Sequence, residues 1–381
     1  MKKIVIEASS IAQANKSGVG YFAEHLSEAL ESAAEKHDAK IHYFWLNFLG
    51  RKQPDSHLLK RADEQHRLKQ LRLIAQKIYA KLIYARIAPP LSVGKFDWGF
   101  FPNFYLWPLL GVRKRAVIIH DLCFMRYPEY VEEKNLRFLN AVAKRAIQKA
   151  DLLVVNSQFT HDELVKLAEI PDDRIVSIDI PVDPKRFDPK LNLGTKRLAK
   201  RYGINKPYIL TLGTLEPRKN LELLIEAYVQ LPADIRSKYS LVLAGKWGWK
   251  FESLKSLIEK RRAEGYDIIT TNYIDHGDNS TIYRNASAYA ITTHYEGFGM
   301  PLLEALHCGI PAVAVDIPVL REVGGDACLW AESTTDSVSD NLKRLLTDKK
   351  LGTQLAKKGP LQSKKFSWEK TADKLLKRMV G

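Results

Sequence analysis

Short apolar runs alternate with helix-period patterns along the whole chain. Continuous apolar runs of this length are typical of strands that are buried on both faces of a parallel sheet. Their alternation with amphipathic helices predicts βαβ units with right-handed crossovers. The predicted strands are Lys3–Glu7, Val117–Ile119, Leu152–Val155, Tyr208–Leu212, Leu241–Leu243 and Ala312–Val315, and the predicted helices are Tyr21–Glu31, Leu136–Lys149, Asn220–Leu231 and Phe251–Arg262.

The chain is long enough for two domains, because its 381 residues exceed the size at which one hydrophobic core stops growing. The proline-containing and charged stretch 181–206 is the predicted linker. We place the first domain at 1–186 and the second at 187–365, with a helix over 366–381 that returns to the first. Doubly wound sheets bind ligands at the carboxyl ends of their strands, so a cleft between the two sheets is expected to hold the site.

The composition favours a globular protein of the cytoplasm. Hydrophobic residues make up 45% of the chain and charged residues 27%, which is ordinary for such a protein. No apolar run approaches the roughly 18–20 residues of a membrane span, and Glu7 interrupts the N-terminal run too early for a signal peptide. Cys123, Cys308 and Cys328 are odd in number and far apart, which favours reduced thiols over a disulfide framework or a zinc site.

The net charge of +15 indicates an anionic partner. The basic segment 51–86 contains ten Lys or Arg residues and three acidic ones, a net +7. Its apolar residues at helical spacing predict a basic amphipathic helix at the inner face of a membrane; they are Leu71, Ile74, Ile78, Leu82 and Ile83. The alternative is a helix whose apolar stripe packs on the core. A nucleic-acid binder would also be basic, but the chain shows no RNA-binding or helix-turn-helix pattern.

The strongest functional signal is the segment His294–Leu306. Its glycines allow backbone N–H groups to approach a ligand, and Pro301 suits the first turn of a helix, whose positive end attracts anions. Glu304 lies among apolar residues of that helix, and a buried carboxylate needs a partner. A ribose diol would supply two hydroxyl donors. The alternative is a structural carboxylate that is paired with a neighbouring Arg.

Glu296 and Glu304 enclose seven residues, and the segment resembles the E-x7-E signature of the family 4 glycosyltransferases, which have the GT-B fold. Segments 309–314, 322–327 and 366–369 continue the resemblance, which covers essentially the whole chain. It implies an α/β fold of two Rossmann-like, doubly wound domains that face each other across a cleft.

The resemblance also implies roles for residues of this segment. Glu304 is expected to hold the ribose of a nucleotide-sugar donor, and Glu296 to orient hydroxyls of the donor sugar. The resemblance implies that the backbone of Gly297, Phe298 and Gly299 also contacts the donor sugar, together with Met300 at the start of the helix.

Residues 213–220 form a second candidate donor contact, on the loop after a predicted strand. Adjacent cations at a strand-to-helix turn suit a diphosphate, and Arg218 and Lys219 are such a pair. In the family an Arg usually follows the first Gly, and a Lys comes five residues later. Lys219 matches that Lys, but Thr214 occupies the Arg position, so Arg218 is the candidate for the missing charge. The alternative is a solvated loop with ordinary surface cations.

The first domain offers the turn Ser17–Tyr21 and the pair His120 and Asp121. In the family the matching turn, here at Gly18, brings its backbone close to the donor phosphate and borders the acceptor site. His120 ends a strand and is therefore expected to point into the cleft, where the resemblance implies that it contacts the donor sugar or positions the reacting centre. The alternatives are a plain β–α connection and a histidine that is hydrogen-bonded to backbone. Asp121 orients the imidazole or touches the acceptor, and the sequence leaves both roles open.

The resemblance implies hexose transfer with retention at the anomeric carbon, through a transition state like an oxocarbenium ion. No D-x-D triplet occurs, so we expect neither a metal nor another cofactor. Lys219, Arg218 and the helix end near Gly299 would stabilise the leaving diphosphate. One oxygen of that diphosphate is expected to take the acceptor proton.

Gly213–Asn220 and His120–Leu122 look most like bacterial mannosyltransferases of O-antigen or related polysaccharides. This favours GDP-mannose as the donor and a glycan or lipid-linked glycan as the acceptor. The backbone around Tyr273 and Ile274 is expected to meet the base. The alternatives are a UDP-sugar donor, another GT-B enzyme such as an epimerase or a phosphorylase, and a basic nucleic-acid-binding protein. The E-x7-E pattern argues against the epimerase.

Overall fold

The structure, a computed structural model, describes residues 1–13, 16, 18–50, 52–72 and 74–381, without the side chain of His276. Ser17 of the predicted turn and Arg51 of the basic segment lie outside the described residues. The chain divides into two compact units, which are unit 1 (Met1–Ile180 with Ser367–Gly381) and unit 2 (Pro181–Phe366). This division falls after Ile180, whereas the sequence placed the boundary after residue 186.

Unit 1 is built around a seven-stranded parallel sheet. Its strands are β1 (Lys2–Glu7), β2 (Ala39–Leu46), β3 (Leu68–Leu71), β4 (Leu91–Phe101), β5 (Leu109–Ile119), β6 (Leu152–Val155) and β7 (Ile175–Ser177). Its helices include α1 (Gly18–Ala34), α2 (His57–Glu64), α3 (Gln76–Tyr84), α4 (Cys123–Arg126), α5 (Glu133–Lys149) and α6 (Gln158–Ala168). The spatial order is β3-β2-β1-β4-β5-β6-β7, so the strand order reverses between β1 and β4. Ligands bind doubly wound sheets at the carboxyl ends beside such a reversal.

Unit 2 repeats this plan with six parallel strands. They are β8 (Tyr208–Leu212), β9 (Ser240–Ala244), β10 (Ile268–Thr270), β11 (Ala288–Ile291), β12 (Ala312–Val315) and β13 (Cys328–Ala331). The helices are α7 (Thr195–Tyr202), α8 (Leu221–Gln230), α9 (Ala233–Arg236), α10 (Glu252–Ala263), α11 (Asn279–Arg284), α12 (Met300–His307), α13 (Pro318–Gly324), α14 (Thr335–Thr347) and α15 (Lys349–Ser363). The order β10-β9-β8-β11-β12-β13 reverses between β8 and β11.

The last helix, α16 (Trp368–Val380), packs within unit 1. The ring of Trp368 lies 5.8 Å from that of Phe22 on α1, and Asp373 pairs with Lys36 at 2.8 Å. An apolar contact therefore joins the last helix to α1, and an ion pair joins it to the turn that follows α1.

The predicted strands and helices are confirmed, with ends that mostly differ by one to three residues; β5 begins at Leu109, well before the predicted start at Val117. The prediction succeeds where strands are buried along their whole length, as β6 and β12 are, because such strands must be continuously apolar. The predicted set lacks β2, β3, β4, β7, β10, β11 and β13; of these, β3 is an edge strand whose burial is only partial.

The predicted single basic helix over residues 51–86 was wrong. The described part of this segment contains α2, the edge strand β3 and α3. Leu71 lies in β3 and pairs with Leu46 of β2, whereas Ile78 lies on α3 and is 54% exposed. Pairing with a neighbouring strand outweighs a local helical period, so residues that share a period here lie on different elements. Ile74, Leu82 and Ile83 pack against the core, as the alternative interpretation had it.

The three cysteines are free and buried. A search of the described residues finds no helix that is both long enough and apolar enough to cross a membrane.

Glu7, at the end of β1, should make the stability of the protein depend on pH. Its Oε1 accepts a hydrogen bond from the Ser9 backbone N–H at 2.8 Å, and burial raises its pKa from 4.5 to about 7. The folded protein therefore holds this proton more tightly than the unfolded chain does, and the free energy of unfolding should fall as the pH rises from about 4.5 to about 7.

We therefore expect Glu7→Gln to raise the free energy of unfolding at pH 8, by on the order of 2–3 kcal/mol, and to have little effect at pH 4.5. Urea denaturation at both pH values measures this difference. Glu35→Gln, at an exposed position of unit 1, is the control and should follow the wild type. Parallel pH profiles for the wild type and Glu7→Gln would contradict the prediction.

Candidate functional site

The sheet of unit 2 brings the two predicted donor motifs together. β8 and β11 are neighbours, so the loops that follow them meet at the same edge. Thr293 Oγ1 donates a hydrogen bond to the carbonyl of Arg218 at 2.9 Å, and Thr292 Oγ1 donates one to the carbonyl of Asn220, also at 2.9 Å. The backbone N–H of His294 donates to the same Arg218 carbonyl at 2.9 Å. These bonds fix the two loops against each other.

Glu296 is the centre of a buried charge cluster. Arg218 Nη1 lies 2.8 Å from Glu296 Oε2, and Lys219 Nζ contacts Glu296 Oε1. Burial by itself would raise the pKa of Glu296, but Arg218 and Lys219 outweigh it and hold that pKa at about 2. Glu296 is therefore a carboxylate at any physiological pH, and a weak base.

The two cations of this cluster differ in what they have left to offer a ligand. Arg218 donates from Nε and Nη2 to Glu216, at 3.0 and 2.6 Å, and from Nη1 to the Tyr295 carbonyl at 2.7 Å as well as to Glu296. A guanidinium has five N–H donors, so at least four of them are engaged. The ammonium of Lys219 has three donors, and in the described part of the chain it donates only to Glu296. The geometry favours Lys219 as the cation that meets phosphate and Arg218 as the group that positions Glu296.

Gly299 and its neighbours form the amino end of α12. Gly299 has a φ of 101°, and a Cβ at this position would lie 2.8 Å from Leu320 Cδ2, so only glycine fits without strain. The ring of Phe298 packs against Phe366 at 5.6 Å. Gly297 and Phe298 are buried, and Met300 is the first residue of the helix. These residues can therefore offer a ligand mainly backbone N–H groups, which agrees with the predicted contact.

Glu304 projects from α12 and is buried. Tyr283 donates its hydroxyl to Glu304 Oε2 at 2.8 Å, and Arg186 Nη1 lies 3.7 Å from Oε1. Burial raises the pKa of Glu304, although Arg186 and Tyr283 act in the opposite direction. The alternative interpretation, a carboxylate paired with an arginine, therefore holds in part, because Arg186 is an ion-pair partner of Glu304. The 3.7 Å separation is too long for a hydrogen bond, so Oε1 accepts none from the residues that the structure describes and can accept one from a hydroxyl ligand.

The remaining unit 2 candidates lie around the loop after β9. Thr214 stands where the family usually has an Arg. It is exposed and uncharged, so it does not replace the positive charge of that Arg. The next residue, Leu215, exchanges backbone hydrogen bonds with Lys246 and Gly248. Lys246 Nζ lies 4.5 Å from the ring centroid of Tyr273, which is 45% exposed, whereas the neighbouring Ile274 is buried.

Gly18 and His120 belong to unit 1. Gly18 begins α1 with open space at its Cβ position, but a Cβ on Gly20 would lie 2.8 Å from the Ser10 carbonyl oxygen. Within this turn, Gly20 is therefore the position where a larger side chain would clash. Asp121 accepts a hydrogen bond from the Cys123 backbone N–H at 3.0 Å.

His120 Nε2 lies 3.3 Å from the carbonyl oxygen of Pro102, the backbone contact of the alternative interpretation. Burial lowers the pKa of His120 to about 4, so the ring is neutral at pH 7. Because a carbonyl only accepts, this contact places the proton on Nε2 and leaves Nδ1 as an acceptor. An acceptor nitrogen can receive a hydrogen bond from a sugar hydroxyl, and a neutral ring with so low a pKa is a weak base.

Sequence reasoning missed Glu216, Tyr283 and Arg186. A signal for Glu216 was available, because an acid two residues before Arg218 in a turn can pair with it. Tyr283 and Arg186 gave none, since they reach Glu304 from α11 and from the segment before α7. Within the described residues, no group of three or more His, Cys, Asp and Glu side chains could hold a metal ion.

Tyr283→Phe tests whether the hydroxyl positions Glu304. Loss of this hydrogen bond should raise the KM for the donor about 3- to 10-fold and leave kcat nearly unchanged. Because the bond lowers the pKa of Glu304, its loss should also shift the acid limb of the KM profile to higher pH. Steady-state kinetics across pH measures both effects.

Tyr228→Phe is the matched control, since its hydroxyl donates to the Tyr239 carbonyl at 2.8 Å elsewhere in unit 2. It should cost stability without moving the pH profile. An unshifted profile in Tyr283→Phe would show that the hydroxyl has only a structural role.

Comparison with known proteins identifies relatives that cover about two thirds of the chain and a family profile that lies within unit 2. A family profile described as "Glycosyl transferases group 1" matches residues 195–362. The O-antigen chain mannosyltransferase B of Escherichia coli is 34% identical over 271 residues, which are 70% of this chain and 70% of that protein. The serotype-specific mannosyltransferase WbdA of Escherichia coli is 30% identical over 270 residues, which are 68% of this chain and 32% of that protein. The match thus spans about a third of that longer relative.

A solved structure shares the fold across nearly the full length. Anabaena HepE, in complex with UDP and glucose, has a TM-score of 0.66 at 16% identity and covers 99% of both chains. An identity this low shows the fold alone.

Proposed function

Because the chain belongs to the group 1 glycosyltransferases and has their GT-B fold, we propose that it transfers mannose from GDP-mannose to a glycan acceptor, with retention at the anomeric carbon. The protein is a hexosyltransferase by family. The observation that carries the proposal is the cluster of Glu296, Lys219 and Arg218 in the same unit as Glu304 and the amino end of α12. The similarity to mannosyltransferase B supports mannose as the sugar and a polysaccharide as the acceptor.

The donor diphosphate would lie at Lys219 and the amino end of α12. Two donors of the Lys219 ammonium are available, and the backbone N–H groups from Gly297 to Met300 point from a positive helix end. Negative charge grows on the diphosphate as the glycosidic bond breaks, and fixed donors stabilise that charge without rearranging. This arrangement supports a transfer that needs no metal.

Glu296 would bind sugar hydroxyls and would not attack the anomeric carbon. A carboxylate with a pKa of about 2 that two cations already contact is a poor nucleophile. The acceptor hydroxyl would attack the face that the diphosphate leaves, and a diphosphate oxygen would take its proton. The new C–O bond forms as the sugar–phosphate bond breaks, which retains the configuration.

A thermal-shift experiment tests the donor and the metal requirement together. GDP-mannose should raise the Tm selectively over UDP-glucose and UDP-N-acetylglucosamine, because a ligand of the folded state stabilises by about 2.7 kcal/mol at 100 times its Kd. EDTA and Mg²⁺ should leave the shift unchanged. Lys219→Ala should reduce it, while Lys238→Ala, at an exposed lysine of unit 2, should not.

A Tm shift that occurs only with a UDP-sugar would show that the donor is a UDP-sugar and not GDP-mannose. A Tm shift that requires Mg²⁺ would overturn the proposal that the transfer needs no metal. Binding of duplex or single-stranded nucleic acid without any nucleotide-sugar shift would favour the basic binding protein instead.

We also propose that the exposed face of the basic segment docks on an anionic membrane at the inner face. On α3, Lys77 and Lys81 are exposed beside Ile78 and Tyr84, which are 54% and 46% exposed. Each Lys or Arg near an anionic surface contributes about 1 kcal/mol. Arg67 is unsuitable for a test, because it contacts Glu31 at 2.5 Å and supports the fold.

Vesicle flotation of the triple variant Lys69→Gln, Arg72→Gln, Lys77→Gln tests the membrane proposal. Its binding to anionic vesicles should fall at least about tenfold relative to the wild type. The control triple variant Lys349→Gln, Lys350→Gln, Lys357→Gln removes the same charge from exposed positions of unit 2. Equal flotation of the two variants would contradict the proposal.

A further inference from the structure

Unit 1 contains a cavity of about 280 Å³ at the amino ends of β4 and β5. It lies between the residues that precede these two strands and the last turns of α5. Its apolar floor includes Trp107, Leu106 and Val142. The rim carries four cations, and no acidic residue lines the cavity; the cations are Arg86, Arg115, Arg145 and Lys149.

The four cations come from three separate elements. Arg86 follows α3, Arg115 lies in β5, and Arg145 and Lys149 are one turn apart on α5. In the part of the chain that the structure describes, none of them has an ion-pair partner within 4 Å. Like charges one helical turn apart destabilise a helix. Such a cluster therefore disfavours the empty cavity and favours one that holds an anion.

Helix capping does not account for the two cations of α5. Cations near a helix carboxyl end commonly satisfy its last carbonyl groups. Here Arg174 already does so, because its Nη2 lies 3.1 Å from the Ile147 carbonyl oxygen and 2.5 Å from that of Ala150. Arg145 and Lys149 are directed to the cavity instead.

We propose that this cavity binds a phosphate ester with an apolar or ring-shaped substituent. Arginine forks and a lysine ammonium are the groups that recognise phosphate in proteins. The partly exposed side chains of Ile83, Leu106 and Pro108 line the same cavity and offer an apolar surface to the substituent. The volume lies just below the usual range of ligand pockets, which starts at about 300 Å³, and this suits one group of headgroup size.

This cavity lies away from His120, a candidate site residue of the same unit. His120 follows the carboxyl end of β5, and Arg115 precedes it by five residues, about 16 Å along an extended strand. The inference therefore does not depend on which sugar nucleotide unit 2 binds. Tyr84 and Ile87 beside Arg86 are 46% and 68% exposed, so an apolar tail can continue from the cavity onto the surface. A lipid headgroup and a soluble phosphate ester both have this chemistry.

A charge-matched pair of double variants tests the proposal. Arg86→Gln with Arg145→Gln removes two cations from the rim. Lys134→Gln with Lys144→Gln removes the same charge from exposed positions of α5 that do not line the cavity. Binding is measured by calorimetric titration with phenyl phosphate, and by sedimentation with phosphatidylcholine vesicles that contain or lack phosphatidic acid. Circular dichroism and donor turnover confirm that both variants are folded.

We expect the rim variant to bind at least one probe about tenfold more weakly than the wild type, and the control variant to stay within about twofold. A loss confined to phenyl phosphate identifies a soluble ester, and a loss confined to the phosphatidic acid vesicles identifies a lipid headgroup. Equal behaviour of the two double variants in both arms, or no binding of either probe by the wild type, would overturn the proposal.

Discussion

Lys219→Ala should lower kcat by about two to three orders of magnitude, which is the usual effect of removing one fixed donor from developing negative charge. The structure gives the reason, because the Lys219 ammonium still has donors to offer while Arg218 has most of its own engaged. The charge on the leaving diphosphate is largest in the transition state, so kcat should fall more than donor affinity. Steady-state kinetics with the identified donor measures both parameters.

Two variants make this result specific. Glu296 keeps its contact with Arg218 when Lys219 is removed, so the cluster should survive and the Tm should change little. Lys238→Ala, at an exposed lysine of unit 2, should retain wild-type turnover. A Lys219→Ala enzyme with kcat within about threefold of the wild type would remove Lys219 from the catalytic machinery.

Glu304→Ala should weaken donor binding about 100-fold, and Glu304→Gln by a smaller factor. A hydrogen bond to a charged group contributes about 1.5–3 kcal/mol, and the carboxylate can accept from a ribose hydroxyl at Oε1, to which none of the described residues donates. Calorimetric titration with the free nucleoside diphosphate and with the complete donor measures the loss. Glu332→Gln, at an exposed acid of unit 2, is the control and should bind as the wild type does.

The same carboxylate predicts a pH dependence of donor binding. Burial raises the pKa of Glu304 above the ordinary 4.5, so the residue takes up a proton at a higher pH than a solvated glutamate would. The ionised form accepts strong hydrogen bonds at both oxygens, whereas protonation removes the charge and turns one oxygen into a donor. Donor KM should therefore rise as the pH falls through this pKa, and Glu304→Gln should lack that limb. Identical acid limbs in the two enzymes would contradict the assignment, and wild-type affinity in Glu304→Ala would assign Glu304 a structural role with Arg186.

Much of the fold could be predicted from the sequence, because the strands that matter most are buried throughout. β1, β6, β8 and β12 read as apolar runs since nearly every position faces a covered surface. The edge strand β3 could not be predicted, because it is half covered and lies in a charged segment. Its pairing with β2 depends on residues far from it in the chain.

For the candidate site, the sequence determined which residues to consider. Glu296, Glu304 and Lys219 stand in local patterns whose spacing is fixed by one helix or one turn, and such patterns are visible without a structure. Only the tertiary structure decided how these residues are paired. In the folded protein Arg218 pairs with Glu216, and Arg186 and Tyr283 contact Glu304. The four cations that line the cavity of unit 1 come from three different elements. Contacts of this kind join side chains that are distant in the chain, and they are set by the strand order and by burial, so no local spacing records them.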